Sequence, residues 1–127
     1  MTIVGAFEII GIRDAGDLNS ERLLLRAIEP ASLEYYIVVN VKSNGGKGLT
    51  ILNDKVFWFP VIPVNTGEYV RLYTKTGSYN KQNALYDKTP AIFHNFYWGL
   101  NASVWGGINS NAVSVFKVNS WNTTYQT

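Results

Sequence analysis

Apolar side chains recur at every second position along most of this chain, and a period of two belongs to β-strands. Successive strand side chains point to opposite faces, so alternation marks one face for a core and the other for solvent. Tyr35, Ile37, Val39 and Val41 alternate with Tyr36, Val38, Asn40 and Lys42. Read by hydrophobicity, the first set enters a core and the second drifts toward water. Similar runs occupy residues 3–12, 56–61, 69–74, 92–100 and 112–118. Between the runs lie Asn44-Gly45-Gly46, Asn53-Asp54, Asn65-Thr66-Gly67, Thr76-Gly77, Gly106-Gly107 and Asn109-Ser110-Asn111. Asn and Gly tolerate the positive φ of tight turns, so each reads as a turn. Many short strands separated by turns point to an all-β sandwich or barrel.

Two segments depart from the pattern. In residues 19–28 an N-cap candidate, Asn19-Ser20, precedes good helix formers and a proline follows at Pro30, which local propensity reads as a helix. The three leucines Leu23, Leu24 and Leu25 equally suit a strand buried on both faces. Both readings stay open. Residues 78–90 are polar and basic with no period, and are read as a long loop.

At 127 residues with 46% hydrophobic side chains, the chain suits one domain with its own core. It contains no cysteine, which excludes disulfides, zinc–thiolate sites, iron–sulfur clusters and a thiol nucleophile. Cysteine-free composition leans toward a reducing, cytoplasmic setting. The first apolar run, interrupted by Gly5 and Glu8 with no basic residue before it, is unlike a secretory signal. No apolar stretch approaches the roughly 20 residues of a membrane-spanning helix, so no membrane association is expected. Asn101 and Asn122 head Asn-x-Ser/Thr triplets and are read as turns.

The net charge is only +2, but it is unevenly spread. Residues 1–39 hold six acidic and three basic side chains, whereas residues 40–90 hold seven basic ones (Lys42, Lys47, Lys55, Arg71, Lys75, Lys81, Lys88) against Asp54, Glu68 and Asp87. A basic surface region is expected, with an anionic ligand as its natural partner.

Along residues 61–118, Thr66-Gly67-Glu68 precedes Val70-Arg71-Leu72-Tyr73-Thr74. Phe96-Tyr97-Trp98-Gly99, Val104-Trp105, the turn at residues 106–111 and an alternating last strand follow. This order resembles the lamin-tail domain family, in which Glu21-Arg22-Leu23-Leu24-Leu25 would match a glutamate-led strand. Where the family carries an acidic residue before its last strand, this chain has Asn109-Ser110-Asn111. The resemblance implies an immunoglobulin-like β-sandwich of about seven to nine short strands. It implies no catalytic motif, and such a fold does not choose a function.

Catalytic chemistry finds little footing. Nucleophilic catalysis needs an activating base, and the one histidine, His94, lies in a strand-like run with no partner acid evident; a hydrolase using His94 is the weakest reading. Asp14, Asp17, Asn19 and Glu21 offer oxygen ligands within eight residues, but without calcium-loop spacing. The glycine-bearing stretches at residues 43–48 and 106–109 lack a phosphate-loop pattern. No cofactor and no metal is expected.

The most suggestive set is Tyr69, Arg71, Tyr73 and Lys75, which share one face if the segment is a strand, while Val70 and Leu72 enter the core. Tyr79, Lys81 and Lys88 follow in the expected loop. Alternating aromatic and cationic groups can stack on bases while neutralising phosphate. Among the tryptophans, Trp58 and Trp98 are expected in the core, and Trp105 and Trp121 at the surface as ligand or interface anchors. These residues define the expected function: a non-catalytic binding domain engaging a protein or an anionic partner, nucleotide or nucleic acid. The alternative is a small-ligand or glycan-binding sandwich. Open strand edges make a homo-oligomer the expected assembly.

Overall fold

A computed structural model describes residues 1–43, 48–107 and 112–126, without the side chains of Ser43, Leu49 and residues 51–55. The strands are β1 (Thr2–Val4), β2 (Phe7–Arg13), β3 (Arg22–Ala27), β4 (Ala31–Ser32), β5 (Tyr36–Ser43), β6 (Leu49–Trp58), β7 (Pro63–Val64), β8 (Tyr69–Tyr73), β9 (Asn80–Tyr86), β10 (Thr89–Tyr97) and β11 (Ala112–Lys117). They build a six-stranded sheet in the order β1-β2-β3-β8-β10-β9, a three-stranded sheet β11-β5-β6, and a small β4-β7 pair. All pairings are antiparallel except β8 with β10, which run parallel. The fold is an all-β sandwich, and among the described residues the expected seven to nine strands become eleven once the short β1, β4 and β7 are included. No helix among the described residues is long and apolar enough to cross a membrane.

Both sheets contribute to one core. Leu23, Leu25, Val70, Leu72 and Phe96 from the large sheet meet Tyr36 and Val38 of the small one, with Phe57, Val113 and Val115 packed against them. The segment left open between helix and strand is β3, flanked by β2 and β8. Leu23 and Leu25 enter the main core, while Leu24 is buried on the other side with Tyr69 and Phe93. Burial on both faces overrides helix propensity, because a helix here would strand the backbone of two neighbours.

Strand β5 departs from its expected parity at its start: Tyr36 and Val38 face the main core and Tyr35 is exposed, while Val39 and Val41, between which the register with β6 shifts, are buried as expected. The reason is a hydrogen bond: the Tyr36 hydroxyl accepts from the Ala6 N–H at 2.9 Å, while its ring packs edge-on against Phe7 at 4.9 Å. Gly5, at φ 54°, lies against that hydroxyl, and a Cβ there would collide with it.

The polar segment expected as a loop forms instead β9 and the start of β10, an antiparallel hairpin closed at Asp87-Lys88. Both turn residues have positive φ, 50° and 66°, as a tight primed turn demands. As an edge strand exposed over most of its length, with only Ala84 and Tyr86 half-buried, β9 needs no apolar alternation. Asn53-Asp54, expected as a turn, lies within β6, whereas Asn65-Thr66-Gly67 does turn, with Glu68 N donating to Asn65 O. The turns at residues 44–46 and 109–111, and parts of both glycine-bearing stretches, lie outside the described residues.

Candidate ligand-binding face

Strand β8 positions the site. Its alternation sends Val70 and Leu72 into the core and turns Tyr69, Arg71 and Tyr73 to the outer face of the six-stranded sheet, as the sequence leads one to expect. Register then decides their neighbours. Tyr69 pairs with Phe93, Arg71 with Asn95 and Tyr73 with Tyr97 on β10, and Phe93 and Asn95 pair with Gln82 and Asn80 on β9. On the other side Arg22 of β3 lies opposite Tyr73.

Arg71 is held from three sides. Its Nε donates to Asn95 Oδ1 and its Nη2 to Gln82 Oε1, both at 2.7 Å. Its guanidinium carbon sits 4.0 Å over the Phe93 ring. Asn95 Nδ2 in turn donates to Asn80 Oδ1 at 2.9 Å and to Gln82 Oε1 at 3.0 Å. Burial pulls the Arg71 pKa below its ordinary value, and the nearby Arg22 charge acts in the same direction. A cation in that environment gains from an arriving anion.

Beside Arg71 the rings of Tyr73 and Tyr97 lie nearly parallel, 5.4 Å apart with 14° between planes. Three cationic groups surround Tyr73: Lys75 Nζ at 5.2 Å, Arg71 at 5.7 Å and Arg22 at 6.0 Å from the ring centre. Lys75 lies past the end of β8, but its carbonyl accepts from Gly99 N–H at 3.1 Å, which keeps it alongside β10. Asn80 Nδ2 donates to the Tyr97 hydroxyl at 3.1 Å. The loop after β8 presses on the same ring, since a Cβ at Gly77 would stand 2.5 Å from it. Arg22 also pairs with Asp14 Oδ2 at 2.7 Å. Tyr69 is less available, buried between Phe93 and Tyr86 at 5.2 and 4.5 Å.

Not every expected site residue joins this face. Tyr79 lies on the other side of the sheet, where its ring packs 4.9 Å from Phe96. Lys81 is placed there too by alternation with Asn80 and Gln82. Lys88 occupies the β9–β10 turn. Trp105, expected at the surface, is only 3% exposed and packs against Trp98. Its backbone N–H, with those of Val104 and Gly16, donates to the buried Glu21 carboxylate, which draws the Gly-Gly turn inward. Trp58, expected in the core, is 45% exposed, because Phe57 takes the inward position of β6. Gln82, Phe93, Asn95, Tyr97 and Arg22 belong to the site without having been singled out. Alternation on residues 93–97 carried the signal, but only the parallel β8–β10 pairing gives it meaning.

His94 has the acid that the sequence did not reveal. Its Nε2 lies 2.8 Å from Glu68 Oε1 and its Nδ1 2.9 Å from the Tyr79 hydroxyl. Since a carboxylate only accepts, Nε2 carries the donated proton. Burial raises the Glu68 pKa, but hydrogen bonds from Asn65 N–H and His94, with the charges of His94 and Lys81, hold it below the ordinary value. Burial and the Glu68 charge push Tyr79 up. The His94 side chain is buried, and this Glu68–His94–Tyr79 chain ties the turn before β8 to β10 and to the residue that leads into β9.

The acidic stretch at residues 14–21 does not converge on an ion. Asp14 pairs with Arg22, Asp17 accepts from Asn19 N–H, and Glu21 is fully committed to four donors. Among the described residues no group of three or more His, Asp or Glu side chains could hold a metal. Comparison with protein-family models, curated proteins and solved structures finds no match for this chain.

Proposed function

We propose that this chain is a non-catalytic binding domain, of the immunoglobulin-like sandwich kind that lamin-tail domains exemplify, and that its outer β8–β10 face binds single-stranded nucleic acid. The observation that carries the reading is the parallel Tyr73–Tyr97 pair with Lys75, Arg71 and Arg22 within 5.2–6.0 Å of the Tyr73 ring. Rings on an open sheet offer stacking to bases of any sequence, and the cations meet the phosphates between them. An exposed sheet face favours a single strand, whose bases can be splayed outward. Cysteine-free composition suits a cytoplasmic setting, and the open edge at β9 suits assembly with a second copy.

The test is fluorescence anisotropy of a labelled oligothymidylate titrated with the protein. Saturable binding should weaken by about tenfold in Tyr97→Ala, the loss of one stacked base. Three neutralised phosphates give a slope of log affinity on log salt near −2, hence about a twentyfold loss between about 50 and 200 mM salt. Lys75→Glu should bind worse and show a shallower slope. Absence of saturable binding at the lower salt, or binding indifferent to both variants, overturns the reading.

A further inference from the structure

On the far side of the sandwich the small sheet carries a group of exposed aromatic rings that the nucleic-acid reading does not use. Trp58, Trp121 and Tyr35 are 45%, 43% and 40% exposed. Trp121, from the segment after β11, stands edge-on to both others, 5.2 Å from Trp58 and 5.3 Å from Tyr35. Trp58 is not free to swing. Its Nε1–H donates to Glu34 O at 2.7 Å, so the turn before β5 fixes the indole in place.

Next to the rings is a recess of about 340 Å³, walled by Tyr35 and Tyr36 and bearing the polar groups of Glu29, Ser32, Lys117 and Asn119. Its size is that of a small-ligand site. The arrangement joins apolar ring surface, through the shared Tyr35, to a recess lined with donors and acceptors. That pairing matches a sugar, whose C–H face is apolar and whose rim is hydroxyls. Charge argues against an anion here, because Glu29 lines the recess and Glu34 accepts from its Ser32, against Lys117 as the one cation among the described lining residues. A purely apolar partner is disfavoured too, since it would desolvate Glu29, Lys117 and Asn119, whereas Ser32 already donates to Glu34.

We infer that the Tyr35–Trp58–Trp121 rings and the adjoining recess form a binding site for a neutral saccharide. One sugar ring lies against the indoles, and its hydroxyls hydrogen-bond to Glu29, Ser32 and Asn119. The site is separate from the β8–β10 face, so either can fail without the other.

The experiment is an NMR titration that follows the four indole N–H signals of the uniformly labelled chain. The probes are glucose, galactose, mannose, N-acetylglucosamine, maltose, cellobiose and lactose. At least one sugar should shift the Trp58 and Trp121 signals saturably while sparing buried Trp105. Trp121→Ala should weaken that binding by about tenfold or more, as expected for loss of one aromatic wall. Asn119→Ala, a surface change that leaves the rings intact, should weaken it too, and Lys75→Glu should leave it unchanged. The inference is overturned if no sugar gives a saturable shift, or if binding survives both Trp121→Ala and Asn119→Ala. It is equally overturned if the indole signals move with protein concentration while light scattering reports a dimer, for then a second copy covers the rings.

Discussion

Replacing Glu21 by alanine removes the one acceptor that ties three loops together. Its carboxylate, fully buried, takes the Gly16 N–H at 2.8 Å, the Val104 N–H at 2.7 Å, the Trp105 N–H at 3.0 Å and the Thr74 hydroxyl. Each donor left unsatisfied costs about 1–3 kcal/mol, less where water enters the vacated space. Four donors with partial rehydration give an expected loss of roughly 4 kcal/mol, a large share of the roughly 5–15 kcal/mol that holds a domain together. In a chain of this size that lowers Tm by about 15 °C. Glu21→Gln keeps one acceptor oxygen but turns an amide toward donors, and should lose about half as much. Burial raises the Glu21 pKa, but the bonds from Gly16, Thr74, Val104 and Trp105 outweigh it and hold the carboxyl below its ordinary 4.5. A carboxyl depressed in the folded state contributes stability above its unfolded pKa and loses it as pH falls through the folded pKa. The gap between wild type and Glu21→Ala should therefore be full near neutral pH and shrink progressively below about pH 4.5. Urea unfolding followed by tryptophan fluorescence across that range reads both effects. A loss under about 1 kcal/mol near neutral pH, or a gap that stays constant in acid, would mean that the Glu21 carboxylate does not hold these loops together.

Other outcomes follow from single contacts. Tyr36→Phe keeps the ring against Phe7 but leaves the buried Ala6 N–H without its 2.9 Å acceptor, and should cost about 1–3 kcal/mol by urea unfolding. Lys88→Gly relieves a non-glycine residue at φ 66°, so Tm should rise, by an amount equivalent to about 1 kcal/mol; a fall would mean that Lys88 makes a contact worth more than its backbone strain. Gly77→Ala drives a methyl into the Tyr97 ring, so oligonucleotide affinity should fall along with stability.

Strand β8 was the most legible element, because its two faces differ: Val70 and Leu72 against Arg71 and Tyr73. Where both faces are apolar, parity is lost. Residues 35–41 and 56–59 could turn either way by hydrophobicity alone, and the Tyr36–Ala6 hydrogen bond and the inward Phe57 settle it. That is how Tyr35 and Trp58 came to lie outside. Strand β3 hid its nature because helix propensity is local, whereas β2 and β8, which bury it, come from elsewhere in the chain. Strand β9 was silent for the opposite reason, since an exposed edge strand carries no hydrophobic period. Trp105 shows a third limit: a Gly-Gly neighbour suggests a surface turn, but Glu21, 84 residues away, pulls its backbone inward.

Where nucleic acid binds is read by an amide NMR map of the chain with saturating oligothymidylate. The largest shifts should fall at Arg71, Tyr73, Lys75 and Tyr97 and at the side-chain amides of Asn80, Gln82 and Asn95, all on one face. Shifts centred instead on Trp58 and Trp121, or spread without a centre, would contradict that placement.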